Sequence, residues 1–221
     1  MKIYDISMEI REDMAIYKDK KEKRPKIKIT SALKQGDNAN ESKLEIESHT
    51  GTHADAYFHM LAKGKTMENM DVGKFMGNCV VLDFSSIKNK ITIKDFNDLI
   101  NKKTFKKINN KRLIIKKNDI VLLKTRNRAL KKFNKNFTYL DKTGAKFLAN
   151  KKIKLIGIDN LGIERNQAGH ETHKILFNKT IPVVEGLELS KIKAGRYFFI
   201  GLPLKVKDGD GSPIRAVLVK F

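Results

Sequence analysis

The sequence has a single cysteine, no long apolar run and no tract rich in glycine, serine or proline. One cysteine, Cys79, excludes an internal disulfide and fits a reducing compartment, so we expect a cytoplasmic protein. The apolar runs are only as long as strands, and the charged first residues lack the apolar stretch of a secretory signal, so neither export nor a membrane partner is expected. Without a linker-like tract, 221 residues are most simply organised as one domain, 1–221.

Arginine is also scarce, although the formal net charge is +21. Only eight of the 46 basic residues are arginines, and the lysines are spread along the chain. The densest basic patch, 101–119, has few aromatic residues on which bases could stack. We therefore interpret the charge as a solvated surface and expect no nucleic-acid partner.

Short runs rich in β-branched and aromatic residues, such as "NCVVLDF", "DIVLLKT" and "IPVVEGL", predict many strands. Helical patterns are fewer and cover 56–64, 93–103 and 142–152. Asp141 precedes the last of these, where it could cap the helix. The mixture predicts an α/β or α+β domain with a mixed sheet, whose strand order this pattern does not determine.

Three of the five histidines lie between residues 47 and 60. The alternation in "SKLEIES" predicts a half-buried strand that ends near His49, and Gly51 then breaks the strand. The segment between His49 and His53, "TGT", is a poor helix interior, so we predict a turn that brings the two imidazoles together. Asp55 would project to the same side as His53 if the backbone there is extended.

Two imidazoles and a carboxylate form a suitable site for a divalent ion such as zinc or manganese. His59, four residues beyond Asp55, could be either a further ligand or a proton carrier. The other two histidines, His170 and His173, precede Glu185 and offer a second imidazole and carboxylate pair. A two-metal centre would need such a pair, with Asp55 as the bridge.

The pattern His-x-Gly-Thr-His-x-Asp-x-x-x-His, residues 49–59, resembles the signature of the cyclase-like metal-dependent hydrolases, which include bacterial kynurenine formamidase and isatin hydrolase. The segments "KIYDISMEI", "GIDNLGIE", "HKIL", "VVEGLEL" and "GLPLKVKDGDGSPIRAVLV" extend the resemblance over nearly the whole chain. It implies a swivelling β/β/α domain of the α/β class with a mixed sheet, assembled as a homodimer or higher homo-oligomer.

The resemblance also implies a role for each matching position. His49, His53 and Asp55 would hold one metal ion, and Asp55, His173 and Glu185 a second. His59 matches the catalytic histidine. Tyr17 falls where an aromatic residue contacts substrate. His170 has no matching role and could be a partner behind the ligands or a surface residue; we favour the surface.

The implied reaction is hydrolysis of a small-molecule amide by metal-activated water, with His59 as acid and base. An arylformamidase that converts N-formylkynurenine to kynurenine and formate, in tryptophan catabolism, is the first expectation. The alternatives are hydrolysis of another amide, lactam or cyclic imide, as in isatin hydrolase, and an inactive metal-binding oligomeric scaffold. Zinc is the expected metal and manganese the alternative, as one ion or two. Tyr57 and Met60 depart from the family pattern, so the substrate is less determined than the reaction.

Overall fold

The computed structural model describes residues 1–101, 114–126, 132–165 and 167–221. Most of the basic patch at 101–119 lies outside these ranges. Thirteen strands and three α-helices form within the described ranges. The strands are β1 (Lys2–Asp5), β2 (Lys26–Ser31), β3 (Glu41–Glu45), β4 (His53–Asp55), β5 (Met76–Asp83), β6 (Lys90–Ile91), β7 (Ile120–Lys124), β8 (Tyr139–Leu140), β9 (Leu155–Ile158), β10 (Val183–Glu185), β11 (Gly195–Ile200), β12 (Gly211–Pro213) and β13 (Val217–Lys220), and the helices are α1 (Ile93–Asn101), α2 (Lys142–Asn150) and α3 (Glu171–Phe177).

Nine strands form one mixed sheet in the order β1-β13-β11-β5-β7-β9-β10-β4-β12. The strands β5, β7, β9 and β10 run parallel to one another, and the remaining neighbours in the sheet pair antiparallel. The α/β class with a mixed sheet is therefore confirmed. Because β1 pairs with β13, residues far apart in the sequence share this sheet; the single-domain organisation itself stays a prediction.

Alternate residues of the central strands face two apolar clusters, as the two-residue period of a strand requires. On one side of the sheet, Val121 and Leu123 of β7 pack with helix residues that include Phe96 and Leu148. On the other side, Ile120 and Leu122 pack with residues such as Phe199 of β11. Both faces of the central strands are thus buried, which explains why these strands read as continuous apolar runs.

The helix predictions are partly confirmed. α1 and α2 form where the sequence predicts them, and the Asp141 carboxylate accepts hydrogen bonds from the first-turn amides of Thr143 and Gly144. The prediction of a helix over 56–64 is wrong, because only a single 3-10 turn forms there, at Tyr57–His59. α3 was not predicted. No helix in the described part of the chain is both long and apolar enough to cross a bilayer.

β2 and β3 form a separate two-stranded hairpin rather than part of the large sheet. The prediction of a half-buried strand in "SKLEIES" is wrong, because every residue of β3 is exposed. Ile27 pairs with Leu44 across the hairpin, and Ile29 lies on the same face two residues further along. All three side chains are exposed.

Candidate metal centre

β4 lies between β10 and β12 and places two of the predicted ligands on the same face. Because side chains alternate along a strand, His53 and Asp55 face one side, whereas Ala54 packs into the apolar cluster on the other. Glu185 of β10 is the direct cross-strand partner of His53. The order His-Ala-Asp therefore suits a strand with one polar and one apolar face.

A tight approach between two turns fixes the start of β4. The Thr52 hydroxyl donates to the carbonyl of Gly186 (2.5 Å) and accepts from the amide of Met8 (2.7 Å). Gly186 has a φ of +69°, and a Cβ atom there would lie 2.2 Å from the carbonyl oxygen of Gly51. The turn that joins His49 to His53 thus depends on a glycine immediately after Glu185.

Substituting Gly186→Ala is expected to destabilise the protein for two reasons. Alanine is strained in a left-handed backbone conformation, and its Cβ atom would collide with the carbonyl oxygen of Gly51. We expect the free energy of unfolding to fall by more than about 2 kcal/mol. Gly36→Ala is the matched control, because Gly36 has a φ of +92° and no described atom within 4 Å of its Cβ position; its cost should be about 1 kcal/mol. Equal losses for both variants in denaturant unfolding would contradict the close approach.

Four predicted ligands converge on one buried point. His53 Nε2 lies 3.5 Å from Asp55 Oδ1 and 3.5 Å from Glu185 Oε2. His173 Nε2, from α3, lies 3.5 Å from Asp55 Oδ2 and 3.5 Å from Glu185 Oε1. The two carboxylates therefore stand between the two imidazoles, each with one oxygen toward each ring.

His49 completes this group from the turn before β4. Its Nδ1 lies 3.0 Å from Asp55 Oδ1, and its ring centroid lies 5.0 Å from that of His53. The predicted turn that brings the two imidazoles together is thus present. All five predicted ligands meet around Asp55, whose two oxygens face different histidines.

The buried polar atoms at this point fit a divalent cation. His53 Nε2, His173 Nε2 and both carboxylate oxygens of Asp55 are buried without a suitable hydrogen-bond partner among the described residues. Buried polar groups are normally satisfied, so a convergent set without partners requires an explanation. Imidazole nitrogens and carboxylate oxygens are common ligands of zinc and manganese, and a cation here would satisfy all of them.

The other ring nitrogen of each predicted histidine ligand has a fixed acceptor. His53 Nδ1 lies 2.9 Å from the carbonyl oxygen of Gly51, and His173 Nδ1 lies 2.7 Å from Glu164 Oε1. His49 Nε2 lies 2.9 Å from Asp210 Oδ2. With a metal ion bound, such contacts would select the tautomer whose free lone pair is available to that ion.

The imidazoles and carboxylates of this group lie close enough to shift one another's pKa values. Burial alone would raise the pKa of Asp55, but the imidazoles of His173 and His49 outweigh it and hold the pKa well below its usual value. Burial would lower the pKa of His49, yet the carboxylates of Asp55 and Asp210 raise it to about 9. The carboxylates are therefore ionised near neutral pH, the form in which they bind cations.

His59 lies beside this group and not within it. Its ring centroid is 4.1 Å from that of His49 and 6.0 Å from that of His173, and its Nδ1 is 3.5 Å from Asp210 Oδ2. Burial lowers the pKa of His59 below its usual value, so its imidazole is neutral near pH 7. A neutral imidazole that is partly exposed at the edge of the site can accept a proton.

His170 is both a surface residue and a partner behind the ligands, the two roles that the sequence left open. Its side chain is 57% exposed, and its Nδ1 lies 2.9 Å from Glu164 Oε1, the same oxygen that contacts His173. The Glu164 carboxylate also accepts from the amide of Thr172. His170 is therefore a surface residue that contacts the carboxylate behind a predicted ligand.

Tyr17 starts a 3-10 turn near the acidic groups of the site. Burial, together with the negative charges of Glu185 and Glu164, raises the pKa of its hydroxyl. Its ring packs edge to face against Phe133, with centroids 5.0 Å apart, and a Cβ atom at Gly162 would lie 3.3 Å from it. Tyr17 and Phe133 thus form an aromatic wall, of which Tyr17 lies within electrostatic reach of Glu185 and Glu164.

Two carboxylates around the site were missed by reasoning from the sequence. Glu164 and Asp210 both contact predicted histidine ligands, but along the sequence both lie more than 100 residues from the "HTGTHAD" segment at 49–55. Their only signal is that "GIDNLGIE" and "KDGDGSP" belong to the segments that carry the family resemblance.

Comparison with known proteins identifies the family to which the chain belongs. The profile of the Cyclase family matches residues 4–165, which is most of the chain. The chain belongs to the Cyclase family. The resemblance recognised in the sequence is therefore confirmed.

Several relatives and solved structures align with this chain over most of their length. A kynurenine formamidase from Bacillus cereus is 31% identical over 183 residues, which cover 81% of this chain and 79% of the relative. A solved structure described as a potential metal-dependent hydrolase with cyclase activity has a TM-score of 0.84 and 36% identity, and covers 98% of this chain and 96% of its own. Isatin hydrolase A from Labrenzia aggregata has a TM-score of 0.82 over all of this chain and 94% of its own, but at 21% identity it shows the fold alone.

Proposed function

We propose that the protein is a metal-dependent hydrolase of the Cyclase family that cleaves an aryl-formamide, with N-formylkynurenine as the first candidate substrate. The observation that carries the proposal is the convergence, on β4 and α3, of buried nitrogen and oxygen atoms that have no hydrogen-bond partner among the residues the structure describes. The kynurenine formamidase relative and the aromatic wall of Tyr17 and Phe133 support an aryl substrate.

His49, His53, Asp55, His173 and Glu185 are the residues proposed to hold the metal. The donor set suits zinc, with manganese as the alternative, and has enough groups for two ions if Asp55 bridges them. A bound cation would supply Lewis acidity, which polarises a carbonyl and makes water a stronger acid. The buried carboxylates and the three oriented imidazoles of the chain fix where that acidity acts.

His59 is proposed to carry the proton during hydrolysis. Its neutral imidazole accepts a proton from the attacking water as the new carbon–oxygen bond forms, and returns the proton to the amine nitrogen as the carbon–nitrogen bond breaks. An amine anion is a very poor leaving group, so this transfer is essential to the second step. The products from N-formylkynurenine would be formate and kynurenine.

An activity screen of metal-loaded protein tests the proposal. Zinc-loaded and manganese-loaded protein would be incubated with N-formylkynurenine, isatin and simple cyclic amides, and formate or the ring-opened product would be measured. We expect the highest kcat/KM on N-formylkynurenine. A preference for isatin would favour the lactam alternative, for which the similarity of fold to isatin hydrolase is the present support. No turnover of any substrate by metal-loaded protein would favour an inactive scaffold.

Tyr17→Ala is expected to raise KM for the aryl-formamide by about 3- to 10-fold while changing kcat less, because it removes one ring of the proposed substrate wall. Tyr17→Phe retains the ring and should behave like the unsubstituted protein. A formamide without a ring serves as the control substrate and should show no such increase in KM. If KM rose equally for both substrates, Tyr17 would not contact the aryl group.

The remaining predictions concern assembly and location. A homodimer or higher homo-oligomer is proposed from the family resemblance, and the exposed apolar side chains of Ile27, Ile29 and Leu44 on the β2–β3 hairpin are consistent with a contact between copies. Location in the cytoplasm and a role in tryptophan catabolism also stay predictions.

A further inference from the structure

We propose that Asp210 is a positioning residue that orients both His49 and His59 through a single carboxylate oxygen. The role of each histidine rests on the function proposed above, whereas the contacts themselves do not. Asp210 would thereby couple the geometry of a metal ligand to that of the proton carrier.

The contacts of the Asp210 carboxylate are asymmetric. Its Oδ2 lies 2.9 Å from His49 Nε2 and 3.5 Å from His59 Nδ1, whereas its Oδ1 accepts a hydrogen bond of 2.8 Å from the Ser48 hydroxyl. The two imidazole rings are themselves neighbours, with centroids 4.1 Å apart and planes inclined by 42°. One oxygen thus serves both rings, and the hydroxyl fixes the rotation of the carboxylate.

The backbone holds Asp210 in register with β4. The carbonyl of Asp210 accepts from the amide of Ala56 at 3.0 Å, and the next residue, Gly211, pairs with Asp55. A Cβ atom at Gly211 would lie only 2.8 Å from His49 Cε1. The backbone at 211 therefore packs directly on the His49 ring, so Asp210 cannot shift without moving the strand that carries Asp55.

The contacts determine which nitrogen of each ring is available. With the His49 Nε2 proton donated to Asp210, Nδ1, which lies 3.0 Å from Asp55 Oδ1, is the ring nitrogen that would bind a metal ion held together with Asp55. With the His59 Nδ1 proton directed at Asp210, Nε2 becomes the nitrogen that can take up and release a proton. The contact of 3.5 Å is long for a hydrogen bond, but catalytic hydrogen bonds commonly tighten only when substrate is bound.

The first test measures metal affinity in Asp210→Ala and in a matched control, Asp208→Ala. Asp208 is an acidic residue of the same segment whose amide bonds to Glu68 and whose carboxylate makes no contact with a histidine among the described residues. Losing an outer partner of a metal ligand typically weakens binding by about 10- to 100-fold, which we expect for Asp210→Ala in a zinc competition titration. Asp208→Ala should bind zinc as the unsubstituted protein does, and equal affinities for all three proteins would overturn the His49 part of the proposal.

The second test is a double-mutant cycle on turnover at saturating metal. Asp210→Ala should lower kcat by about tenfold or more when His59 is present, because the proton carrier loses its orientation. In the His59→Asn background the same substitution should change kcat by less than about threefold, because interacting residues are not additive. An equal loss of kcat in both backgrounds would show that Asp210 does not act through His59.

A third measurement is independent of any substrate. In zinc-loaded protein with nitrogen-15-labelled histidine, the imidazole chemical shifts should place the His59 proton on Nδ1 in the unsubstituted protein and in Asp208→Ala. In Asp210→Ala they should show a mixture of the two neutral tautomers. An unchanged His59 tautomer in Asp210→Ala would overturn that part of the proposal. If no substrate is turned over, the proposed function fails, yet the titration and the tautomer still decide the role of Asp210. Asp210→Asn, which retains a neutral acceptor, replaces the alanine variant if the latter does not fold.

Discussion

Asp55→Asn is expected to abolish tight metal binding. The Asp55 carboxylate faces His49, His53 and His173 together, so an amide there removes the negative charge at the centre of the predicted ligands. We expect zinc affinity to fall by more than about 100-fold, since even an outer partner of a ligand contributes up to that amount. Elemental analysis of protein purified without chelator, followed by metal titration, measures the change.

Asp83→Asn is the matched control for this experiment. Asp83 lies at the end of β5, where its carboxylate accepts from the amide of Ser85, away from the histidines. A ligand that binds only the folded state stabilises it by about 2.7 kcal/mol at a free concentration of 100 times Kd. Zinc should therefore raise the Tm of the unsubstituted protein and of Asp83→Asn, but not that of Asp55→Asn. A normal zinc-dependent rise in Asp55→Asn would contradict the proposed centre.

His59→Asn is expected to separate catalysis from metal binding. The His59 ring lies beside the buried group, and the five predicted ligands meet around Asp55 without it, so metal content and folding should change little. Turnover of the best substrate should fall by about 100-fold or more, the usual scale for losing a general acid and base. Steady-state kinetics and metal analysis on the same preparation measure both quantities.

The dependence of kcat/KM on pH adds a second readout to this variant. Burial lowers the pKa of His59, so the neutral form persists to more acidic pH than for an exposed histidine. The activity of the unsubstituted protein should fall when the pH drops through that pKa, because His59 then becomes protonated and can no longer act as a base. The residual activity of His59→Asn should lack this decline. Loss of metal from His59→Asn as complete as that from His53→Asn would instead identify His59 as a ligand.

Local features of the chain could be predicted from the sequence because their causes are local. The Asp141 cap acts on amides two and three residues away, and α2 begins where it was predicted. Likewise, the glycine and threonines between His49 and His53 exclude a regular helix, and the turn there brings the rings together. The central strands were recognisable because both of their faces are buried and their sequences are continuously apolar.

The prediction over 56–64 failed because contacts between the two ends of the segment override the helical pattern. The amide of Phe58 donates to the carbonyl of Lys65, and Gly64 approaches so closely that a Cβ there would lie 2.4 Å from the carbonyl carbon of Tyr57. The segment is therefore folded back on itself after one turn. No periodicity in the sequence reports such a contact.

The same limit explains the missed carboxylate of Asp210. It lies 161 residues from His49 in the sequence, and it reaches the ring only because β12 pairs with β4. A sequence motif identifies groups that are close along the chain, whereas this contact exists only after the sheet has formed. Residue types alone could not distinguish Asp210 from the other acidic residues of the chain.

The pairing of β1 with β13 has a consequence for the order of folding. Ile3 lies opposite Val219, and β12 reaches β4 across more than 150 residues, so these pairings close very long loops. Long-range pairings cost loop entropy before they gain contact energy, and they slow the formation of a sheet. During synthesis, residues 2–5 and the open edge of β4 must wait for residues 211–220 to emerge. The edge beside the histidines is therefore among the last to be protected, and metal supplied during synthesis would encounter His49 before Asp210 is there to orient it.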